Sequence, residues 1–404
     1  MAFGGHMKLL SVEQARAAML RGAALLGQAA VPLDKADGRV LAEDVVAQRD
    51  QPPFDASAMD GWAVRTADLP AREGLSIIGE AAAGRGFNIS VAPGEAVRIF
   101  TGAPIPPGAD RVIVQETAER RGDHLFCRAT DEQTWIRPRG GDFRRGDVLL
   151  EAGTRMDPWR LALAAAAGRA ELRIARRPRV IVLPTGPELA DAGAVAGTDQ
   201  IYDSAGPAIA ALAQRWGADA FRYPPLPDEE AQVVRAIGGI EVDVILAIGG
   251  ASVGDHDVVR PALARLGLAL RVESVATRPG KPTWFGLLPN GRRFLGLPGN
   301  PVSAMVCAEL FLRPLLLALQ GASCDMALQQ IRLGAPLPPN GPREHWLRAR
   351  MSWDEGAAVA TPFGDQDSSL VSVMAGADAL IRHPAGAPAA AEGELCEALP
   401  LSRG

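Results

Sequence analysis

The sequence predicts a multidomain protein of the α/β plus β class, in which a doubly wound α/β domain is accompanied by smaller β domains. Between about residues 178 and 322, apolar strand-like segments alternate with amphipathic helical segments, which is typical of a largely parallel sheet covered by helices. In two other regions, 47–147 and 321–404, short apolar runs alternate with Gly and Pro turns, which is typical of β domains. A chain of 404 residues is long enough for two to four domains.

Composition narrows the classes of function. The net charge is −5 and no basic tract is present, so nucleic acid is not an expected partner. The longest apolar run, 304–319, contains Glu309 and Arg313, which favours a packed helix over a membrane span. The four cysteines are far apart, which predicts free thiols in a reducing compartment rather than structural zinc. Residues 1–6 lack a signal-peptide core and resemble an appended leader, so a cytoplasmic location is expected.

The N-terminal part predicts a β unit between two helical flanks. Residues 11–26 have the spacing of an amphipathic helix with Ser11 as its N-cap, and the segment 33–46 is interrupted by a turn at 37–38. A helix rich in Ala and Leu is predicted at 157–168. The strands predicted between these flanks are 75–78, 96–99, 111–115 and 125–128.

The α/β region predicts strands and helices in alternation. Its predicted strands are 180–183, 219–223, 242–248, 270–275 and 293–297. Its predicted helices are 204–216, 228–237, 258–266 and 301–319. Because ligands of such sheets bind at the carboxyl ends of the strands, we expect the functional site at that edge.

Three loops at this edge carry groups that suit a phosphorylated ligand. The first loop follows a buried strand and offers two kinds of group. Free backbone N–H groups come from Gly249, Gly250, Ser252 and Gly254, and carboxylates come from Asp255 and Asp257. The second is the turn that holds Arg278 and Lys281, two cations that suit an anion. In the third, Pro298 and Gly299 precede Asn300, the predicted N-cap of a helix. Its first N–H groups, near Val302 and Ser303, are expected to be free and to face the strand ends. Together the loops predict a phosphorylated ligand held with a metal ion.

Each loop also has a simpler interpretation, and the residues alone leave both open. The first is a tight strand-to-helix turn in which Asp257 is an ordinary N-cap. The second is a solvated basic turn, and the third is an ordinary capped helix. Glu188, Asp203 and Asp228 are predicted to line the same rim, and a rim of carboxylates favours a bound cation. Capping alone would explain Asp228.

Five ordered motifs resemble the molybdopterin molybdenumtransferase, or MoeA, family, to which the C-terminal domain of gephyrin also belongs. The motifs are Pro53-Phe-Asp-Ala-Ser-Ala-Met-Asp-Gly-Trp-Ala63, Arg98-Ile-Phe-Thr-Gly-Ala-Pro104, Gly249-Gly-Ala-Ser-Val-Gly-Asp255, Pro279-Gly-Lys-Pro282 and Gly296-Leu-Pro-Gly-Asn-Pro-Val-Ser-Ala304. The resemblance covers the chain from about Leu10 to the last predicted strands.

The resemblance implies four domains and an elongated homodimer. The domains would be a helical linker domain (7–46 with 145–177), an inserted β domain (47–144), a central three-layer α/β molybdopterin-binding domain (178–322) and a C-terminal β barrel (323–404). The active site would be composite, between the α/β domain of one subunit and the inserted β domain of the other.

The resemblance also implies the reaction: adenylylated molybdopterin and molybdate give molybdenum cofactor and AMP, with the assistance of Mg²⁺. The implied catalytic positions are Asp60, Thr101, Asp142, Glu188, Asp228 and Lys281. The implied substrate-binding positions are Gly249, Gly250, Ser252, Gly254, Asp257, Arg278, Lys281, Pro298, Gly299, Asn300, Ser303, Arg348 and Ser368, with Arg350 and Ser369 as alternatives in the barrel. The metal would be bound by Glu188, Asp228 and Asp257.

Departures from the family pattern keep two other functions open. Pro187 stands where a carboxylate is usual, Arg278 replaces a lysine, and Asp365 and Asp367 stand where small residues are usual. These changes predict altered metal or substrate handling. The alternatives are a scaffolding paralogue that binds molybdopterin with reduced catalysis, and a molybdopterin adenylyltransferase, which shares the α/β domain.

Overall fold

The computed structural model describes residues 9–127, 132–227, 229–249 and 259–401. The chain forms two compact units. The small unit consists of Ala30–Asp37 and Glu43–Arg173. The large unit consists of the residues up to Ala29, of Gly38–Ala42 and of the residues from Ile174 onward.

Short strands dominate the first part of the chain. The strands are β1 (Leu9–Leu10), β2 (Gln28–Pro32), β3 (Val45–Val46), β4 (Ala56–Ser57), β5 (Gly61–Val64), β6 (Leu75–Ala81), β7 (Glu95–Ile99), β8 (Arg111–Val114), β9 (Ala118–Arg121), β10 (His124–Cys127), β11 (Ile136–Arg137), β12 (Val148–Leu150) and β13 (Glu171–Ala175). The helices are α1 (Val12–Leu20) and α2 (Pro158–Ala166), with 3₁₀ turns at Leu33–Lys35, Thr66–Asp68 and Gln115–Thr117.

Strands and helices alternate in the next part. The strands are β14 (Arg179–Pro184), β15 (Leu189–Ala190), β16 (Ile201–Tyr202), β17 (Asp219–Arg222), β18 (Val244–Ile248), β19 (Ala269–Val272), β20 (Ser274–Val275), β21 (Thr277–Arg278), β22 (Trp284–Leu287) and β23 (Arg293–Leu297). The helices are α3 (Ala205–Arg215), α4 (Glu230–Gly238), α5 (Val259–Arg265), α6 (Pro301–Cys307) and α7 (Arg313–Leu319). The C-terminal elements are β24 (Gln329–Leu333), β25 (Glu344–Asp354), β26 (Ala357–Pro362), α8 (Val371–Gly376), β27 (Ala379–His383) and β28 (Leu395–Pro400).

A six-stranded sheet forms the body of the small unit. Its strand order is β8-β5-β7-β6-β10-β9, and its pairs are antiparallel except for β6 with β7. Successive residues of β5 enter opposite faces, since Trp62 joins one buried apolar cluster and Ala63 another. The β structure predicted for this region is confirmed. The turn predicted at 37–38 is also present, with Gly38 at a φ of +68°.

The central sheet of the large unit has the order β17-β14-β18-β23-β22-β19. Strands β17, β14, β18 and β23 run parallel, and β22 and β19 are antiparallel to their neighbours. Alternate residues of β14 face two cores: Val180 and Val182 pack with α3, α6 and α7, whereas Ile181 and Leu183 pack with α4 and α5. This confirms the predicted three-layer α/β fold.

Helix α1 begins where the sequence predicts and ends earlier. Ser11 is its N-cap and forms a capping box with Gln14, with both hydrogen bonds at 3.1 Å. The helix was predicted to continue to residue 26, but it ends at Leu20. Gly22 follows with a φ of +70°, a left-handed conformation that ends a helix readily.

The helix predicted at 301–319 is continuous, since a π-helical turn, Ala308–Leu312, joins α6 to α7. It is long and apolar enough to cross a membrane by length and composition, but 83% of its most apolar window is buried inside the fold. Glu309 and Arg313 form an ion pair at 3.3 Å on this helix. Burial raises the pKa of the Glu309 carboxyl, and the Arg313 charge opposes that rise. The predicted packed helix is confirmed.

The C-terminal strands close into a barrel. β24 pairs with β26, β26 with β25, β25 with β27, β27 with β28, and β28 returns to β24. Its apolar interior contains Ile331, Leu347 and Ile381. The predicted C-terminal β barrel is confirmed.

The Trp284→Ala change is expected to lower the free energy of unfolding by about 3–5 kcal/mol, the usual cost of truncating a buried aromatic side chain. Trp284 is 0% exposed and stacks on Phe294 with ring centroids 4.8 Å apart. Urea unfolding of the purified variant measures the loss. Trp353→Ala is the matched control, because Trp353 is 76% exposed and its removal should change stability by less than about 0.5 kcal/mol. Equal losses for the two variants would contradict the prediction.

Candidate active site

A cavity of about 720 Å³ lies beside the ends of the central strands, and we call it the strand-end cavity. β14, β18 and β23 are parallel and in register, so their carboxyl ends meet at one edge of the sheet. The cavity thus occupies the edge where the sequence places the ligand. The sequence-predicted residues that line it are Glu188, Asp203, Pro298, Gly299, Asn300, Ser303 and Ser369.

A second cavity, of about 860 Å³, lies between the basic turn and one end of the barrel, and we call it the barrel-side cavity. Both cations of the turn, Arg278 and Lys281, line it together with Ser303 and Ser368. Pro282 and Ser303 line both cavities, so the two are neighbours. One elongated ligand, or two small ones, can therefore occupy adjoining space.

The N-terminus of α6 is tied to the barrel. Asn300 occupies the N-cap position, as predicted, but its side chain makes no capping hydrogen bond. Its Nδ2 instead donates to Ser368 Oγ at 2.8 Å, and the Val302 N–H donates to the Ser368 carbonyl oxygen at 3.2 Å. The prediction that the first N–H groups of this helix are free is wrong for Val302. Ser368 thus lines the barrel-side cavity and bonds the helix, whereas Ser369 lines the strand-end cavity.

Two carboxylates predicted at the rim differ in their surroundings. Glu188 is exposed and lines the strand-end cavity. Asp203 is 4% exposed, and its Oδ2 accepts a 2.6 Å hydrogen bond from Arg222 Nε while its Oδ1 accepts the Gly206 N–H at 2.8 Å. Asp203 lines the strand-end cavity with Glu188, as predicted, but its carboxylate does not require a metal ion, because Arg222 already pairs with it. Sequence reasoning missed Arg222, which lies at the end of a strand with no motif around it.

The backbone around the end of β18 requires a glycine at position 249. Gly249 has a φ of +89°, and a Cβ there would lie 2.5 Å from the Thr185 carbonyl oxygen. Packing against the backbone of Thr185 therefore accounts for this glycine. Six further predicted positions lie outside the described residues: Asp228, Gly250, Ser252, Gly254, Asp255 and Asp257. Among the residues that the structure does describe, no group of three His, Cys, Asp or Glu side chains could hold a metal ion.

Arg348 is a fully buried cation next to the barrel-side cavity. It is 0% exposed, and its Nη2 lies 3.3 Å from the carbonyl oxygen of Asp367, a residue that lines the cavity. Within the described ranges, Arg348 forms no ion pair and its Nε has no hydrogen-bond partner. Burial and the nearby charge of Arg278 lower the pKa of Arg348 to about 10. Arg350, its alternative, is exposed and has its guanidinium 5.6 Å from the centre of the Phe363 ring.

Further charged groups surround this cavity. Arg343 and His345 line it, and burial together with the Arg278 charge lowers the pKa of His345 to about 3, so its ring is neutral at pH 7. Asp365 and Asp367, the acidic departures from the family pattern, line it as well. Their charges oppose the lowering of the Arg348 pKa. Sequence reasoning missed Arg343 and His345, although two basic residues at the start of a strand were a usable signal.

In the small unit the structure joins two residues that are 41 positions apart. Asp60 Oδ1 accepts hydrogen bonds from the Thr101 N–H at 2.8 Å and from Thr101 Oγ1 at 2.7 Å. These two bonds, backbone first, hold the pKa of the Asp60 carboxyl below its usual range, and the Arg98 charge adds to them. The Arg98 guanidinium lies between the rings of Trp62 and Phe100, at 5.1 and 4.7 Å from their centroids.

Asp142 lies on a loop that is held by its backbone and by an ion pair. The Asp142 N–H donates to the Gln51 carbonyl oxygen at 2.9 Å, and Arg139 Nε lies 2.5 Å from Asp50 Oδ2. In the part of the chain that the structure describes, no hydrogen bond joins Asp142 to Asp60. The structure therefore brings Asp60 and Thr101 into contact and leaves Asp142 on a loop of its own.

The Asp60 carboxyl is expected to titrate below its usual range, and Thr101→Val should raise its pKa part of the way back. Valine removes the hydroxyl donor and keeps the N–H, whereas Thr101→Ser keeps both donors. Carboxyl ¹³C chemical shifts followed against pH measure the change. Asp110 is an internal control, because its Oδ1 accepts the same pair of bonds from Thr66 and should not respond. An unchanged Asp60 titration in Thr101→Val would contradict the geometry.

Three family models match successive parts of the chain. The N-terminal region of MoeA, domains I and II, matches residues 10–168. A probable molybdopterin-binding domain matches residues 181–318, and the C-terminal region of MoeA, domain IV, matches residues 330–401. Curated relatives named molybdopterin molybdenumtransferase are similar over most of the chain. The protein of Haemophilus influenzae is 38% identical over 318 residues (78% of each chain), and that of Nostoc is 32% identical over 351 residues (84% of this chain and 80% of its own).

Solved structures agree with the sequence relatives. A MoeA protein of molybdopterin biosynthesis from Pyrococcus horikoshii has a TM-score of 0.84 and 26% identity, with 98% of this chain and 100% of that chain covered. A second structure of the same name has a TM-score of 0.81 and 28% identity, with 97% and 99% covered. Since relatives above 30% identity cover more than two thirds of both chains, this chain belongs to the MoeA family.

Proposed function

We propose that this protein is a molybdopterin molybdenumtransferase that acts in molybdenum cofactor biosynthesis. It would take adenylylated molybdopterin and molybdate and yield molybdenum cofactor and AMP. The proposal is supported by the names of the relatives and by two adjoining cavities, one beside the strand ends and one rich in cations. These features favour the transferase over a scaffolding paralogue or an adenylyltransferase, and we propose a cytoplasmic location.

One observation carries the proposal: Arg348 is buried and forms no ion pair among the described residues. Burying a guanidinium without a carboxylate costs several kcal/mol, so such a group favours an anion in contact with it. Arg278 and Lys281 line the same cavity and add two positive charges. A small dianion such as molybdate fits this requirement. The charge of Arg348 would attract molybdate to the barrel-side cavity, which Ser368 lines, while Arg278 and Lys281 would hold the phosphate groups of the pterin substrate.

The strand-end cavity would hold the pterin part of the substrate. Its volume of about 720 Å³ leaves room for a flat ring system, and Pro298, Gly299, Asn300 and Ser303 line it beside apolar residues such as Tyr202 and Ile201. Ser303 faces both cavities and would orient the substrate between the phosphate and molybdate positions. The proposed reaction needs no covalent protein nucleophile, so catalysis would come from orientation and from positive charge near the phosphoanhydride.

We propose that Mg²⁺ is held by Glu188 together with Asp228 and Asp257. Carboxylate oxygens are the ligands that Mg²⁺ prefers, and Glu188 is exposed to the strand-end cavity and available to it. When bound, the ion would supply Lewis-acid polarisation of the phosphoanhydride. Asp203 is not a candidate ligand, because Arg222 compensates its carboxylate.

The Arg348→Met change is expected to abolish molybdate binding while leaving the free energy of unfolding unchanged or higher. Methionine fills a similar volume and removes the cost of a buried charge, which is often neutral or stabilising. Calorimetric titration of the purified protein with sodium molybdate measures binding, and urea unfolding measures stability. Arg350→Met, at an exposed position nearby, is the matched control and should bind as wild type. A large loss of stability with retained binding would assign Arg348 a structural role.

The proposed homodimer with composite sites makes a second prediction. Asp60→Ala and Lys281→Ala homodimers are each expected to be inactive. A heterodimer with one subunit of each kind should recover about half of the wild-type activity, because one of its two sites combines wild-type Asp60 with wild-type Lys281. AMP release from adenylylated molybdopterin with molybdate and Mg²⁺ measures this.

A subunit that carries both substitutions, paired with itself, serves as the negative control for the heterodimer. Lys35→Ala is the matched lysine control, since Lys35 is exposed and belongs to neither cavity. If the mixed heterodimer is as inactive as its parents, the site is not shared between subunits in the proposed way.

A further inference from the structure

A buried thiol lies directly beneath the basic turn. Cys307 is the last residue of α6 and is 0% exposed, and Thr283, which follows the turn, is 0% exposed as well. The two side chains meet with Thr283 Oγ1 3.1 Å from Cys307 Sγ. Thr283 also donates to the carbonyl oxygen of Gly280, from its hydroxyl at 2.8 Å and from its N–H at 3.0 Å. A hydrogen-bonded chain therefore runs from the helix through Thr283 to the turn.

The donors and acceptors among Gly280, Thr283 and Cys307 follow from which of their atoms carry a proton. Thr283 has one hydroxyl proton, and the shorter bond gives it to the Gly280 carbonyl oxygen. The same hydroxyl is shared with Cys307 Sγ, which accepts it at 3.1 Å, and the Cys307 thiol directs its own proton to the Gly280 carbonyl oxygen at 4.0 Å. Burial raises the pKa of the Cys307 thiol to about 12, so that proton is present at neutral pH. Cys307 acts here as a neutral donor rather than as a reactive thiolate.

The turn and the helix touch at the same place. Gly280 has a φ of +111°, and a Cβ at this position would overlap Cys307 Sγ. The sulfur thus fills the space that a side chain on the turn would need. Cys307 lies four residues after Ser303, so both side chains lie on one face of α6. Contact at Cys307 fixes how far the turn lies from Ser303, which lines both cavities.

We propose that Cys307 is a positioning residue of the anion site: through Thr283 and Gly280 it holds Arg278 and Lys281 opposite Ser303. The inference rests on the proposed function only in naming molybdate and substrate phosphate as the anions. Cys307 touches neither cavity and takes no part in the chemistry. Its effect is to set the distance between the two cations, Arg278 and Lys281, and the Ser303 hydroxyl. A bound oxyanion would bridge that distance.

The test compares Cys307→Ala with Cys307→Ser and with Cys127→Ala. Alanine removes the donor and the sulfur, serine keeps a donor, and Cys127 is a buried cysteine of the small unit, 1% exposed and outside both cavities. Three quantities are measured on the full-length protein: thermal stability, the Kd for sodium molybdate, and amide hydrogen exchange at Thr283. Cys307→Ala is expected to weaken molybdate binding about fivefold, the equivalent of a neutral hydrogen bond of roughly 1 kcal/mol, and to speed exchange at Thr283.

Serine should restore both quantities toward wild type, and Cys127→Ala should lower stability without changing either of them. A Cys307→Ala protein that loses only stability, with wild-type affinity and exchange, overturns the proposal. If wild-type protein does not bind molybdate, the proposed function fails, and exchange at Thr283 still decides the positioning role by the same comparison. Should Cys307→Ala not fold, Cys307→Val, which fills the space without a donor, replaces it against Cys307→Ser.

Discussion

The burial of one apolar helix, Pro301–Leu319, is the constraint on which the rest of the large unit depends. Its side chains share a core with the central sheet and with barrel residues Trp346, Leu380 and Leu399. Because protein interiors are close-packed, this core fixes the sheet, the helix and the barrel against one another. The groups that line the two cavities are therefore positioned by the same rigid helix. The N-terminus of the helix bonds Ser368 of the barrel, and its last residue in α6 supports the basic turn.

Electrostatic balance in the barrel-side cavity follows from that arrangement. Arg348 is desolvated by the packing around it, and Arg278 is close enough to lower its pKa further. The acidic departures Asp365 and Asp367 reach the same space and partly offset the positive charge. These two carboxylates lower the cost of holding several cations together, and they would repel a bound dianion. The cavity therefore combines a fixed positive charge with two nearby carboxylates of opposite sign.

The fold could be predicted in large part because its signals are local. Ser11 and Gln14 form the capping box that their spacing suggests, and four of the five predicted strands of the central pattern appear where apolar runs predict them. The fifth, 270–275, is divided into β19 and β20, which belong to different sheets. The exceptions are local too. Helix α1 stops before Gly22, whose left-handed backbone the apolar periodicity did not take into account. Asn300 has the N-cap position, but its side chain donates a hydrogen bond to Ser368, a residue 68 positions away, instead of capping the helix.

The sequence by itself determined the class of the fold, the family and the edge of the sheet at which ligand groups gather, since short motifs and periodicity encode these. Only the tertiary structure decided which of the charged groups are compensated. Asp203 is paired with Arg222, whereas Arg348 is buried with no ion pair in the described part of the chain. Likewise, a cysteine without any motif proved to lie under the basic turn. The physical reason is that compensation and support depend on distances of 3–4 Å between residues far apart in sequence, and only packing sets those distances.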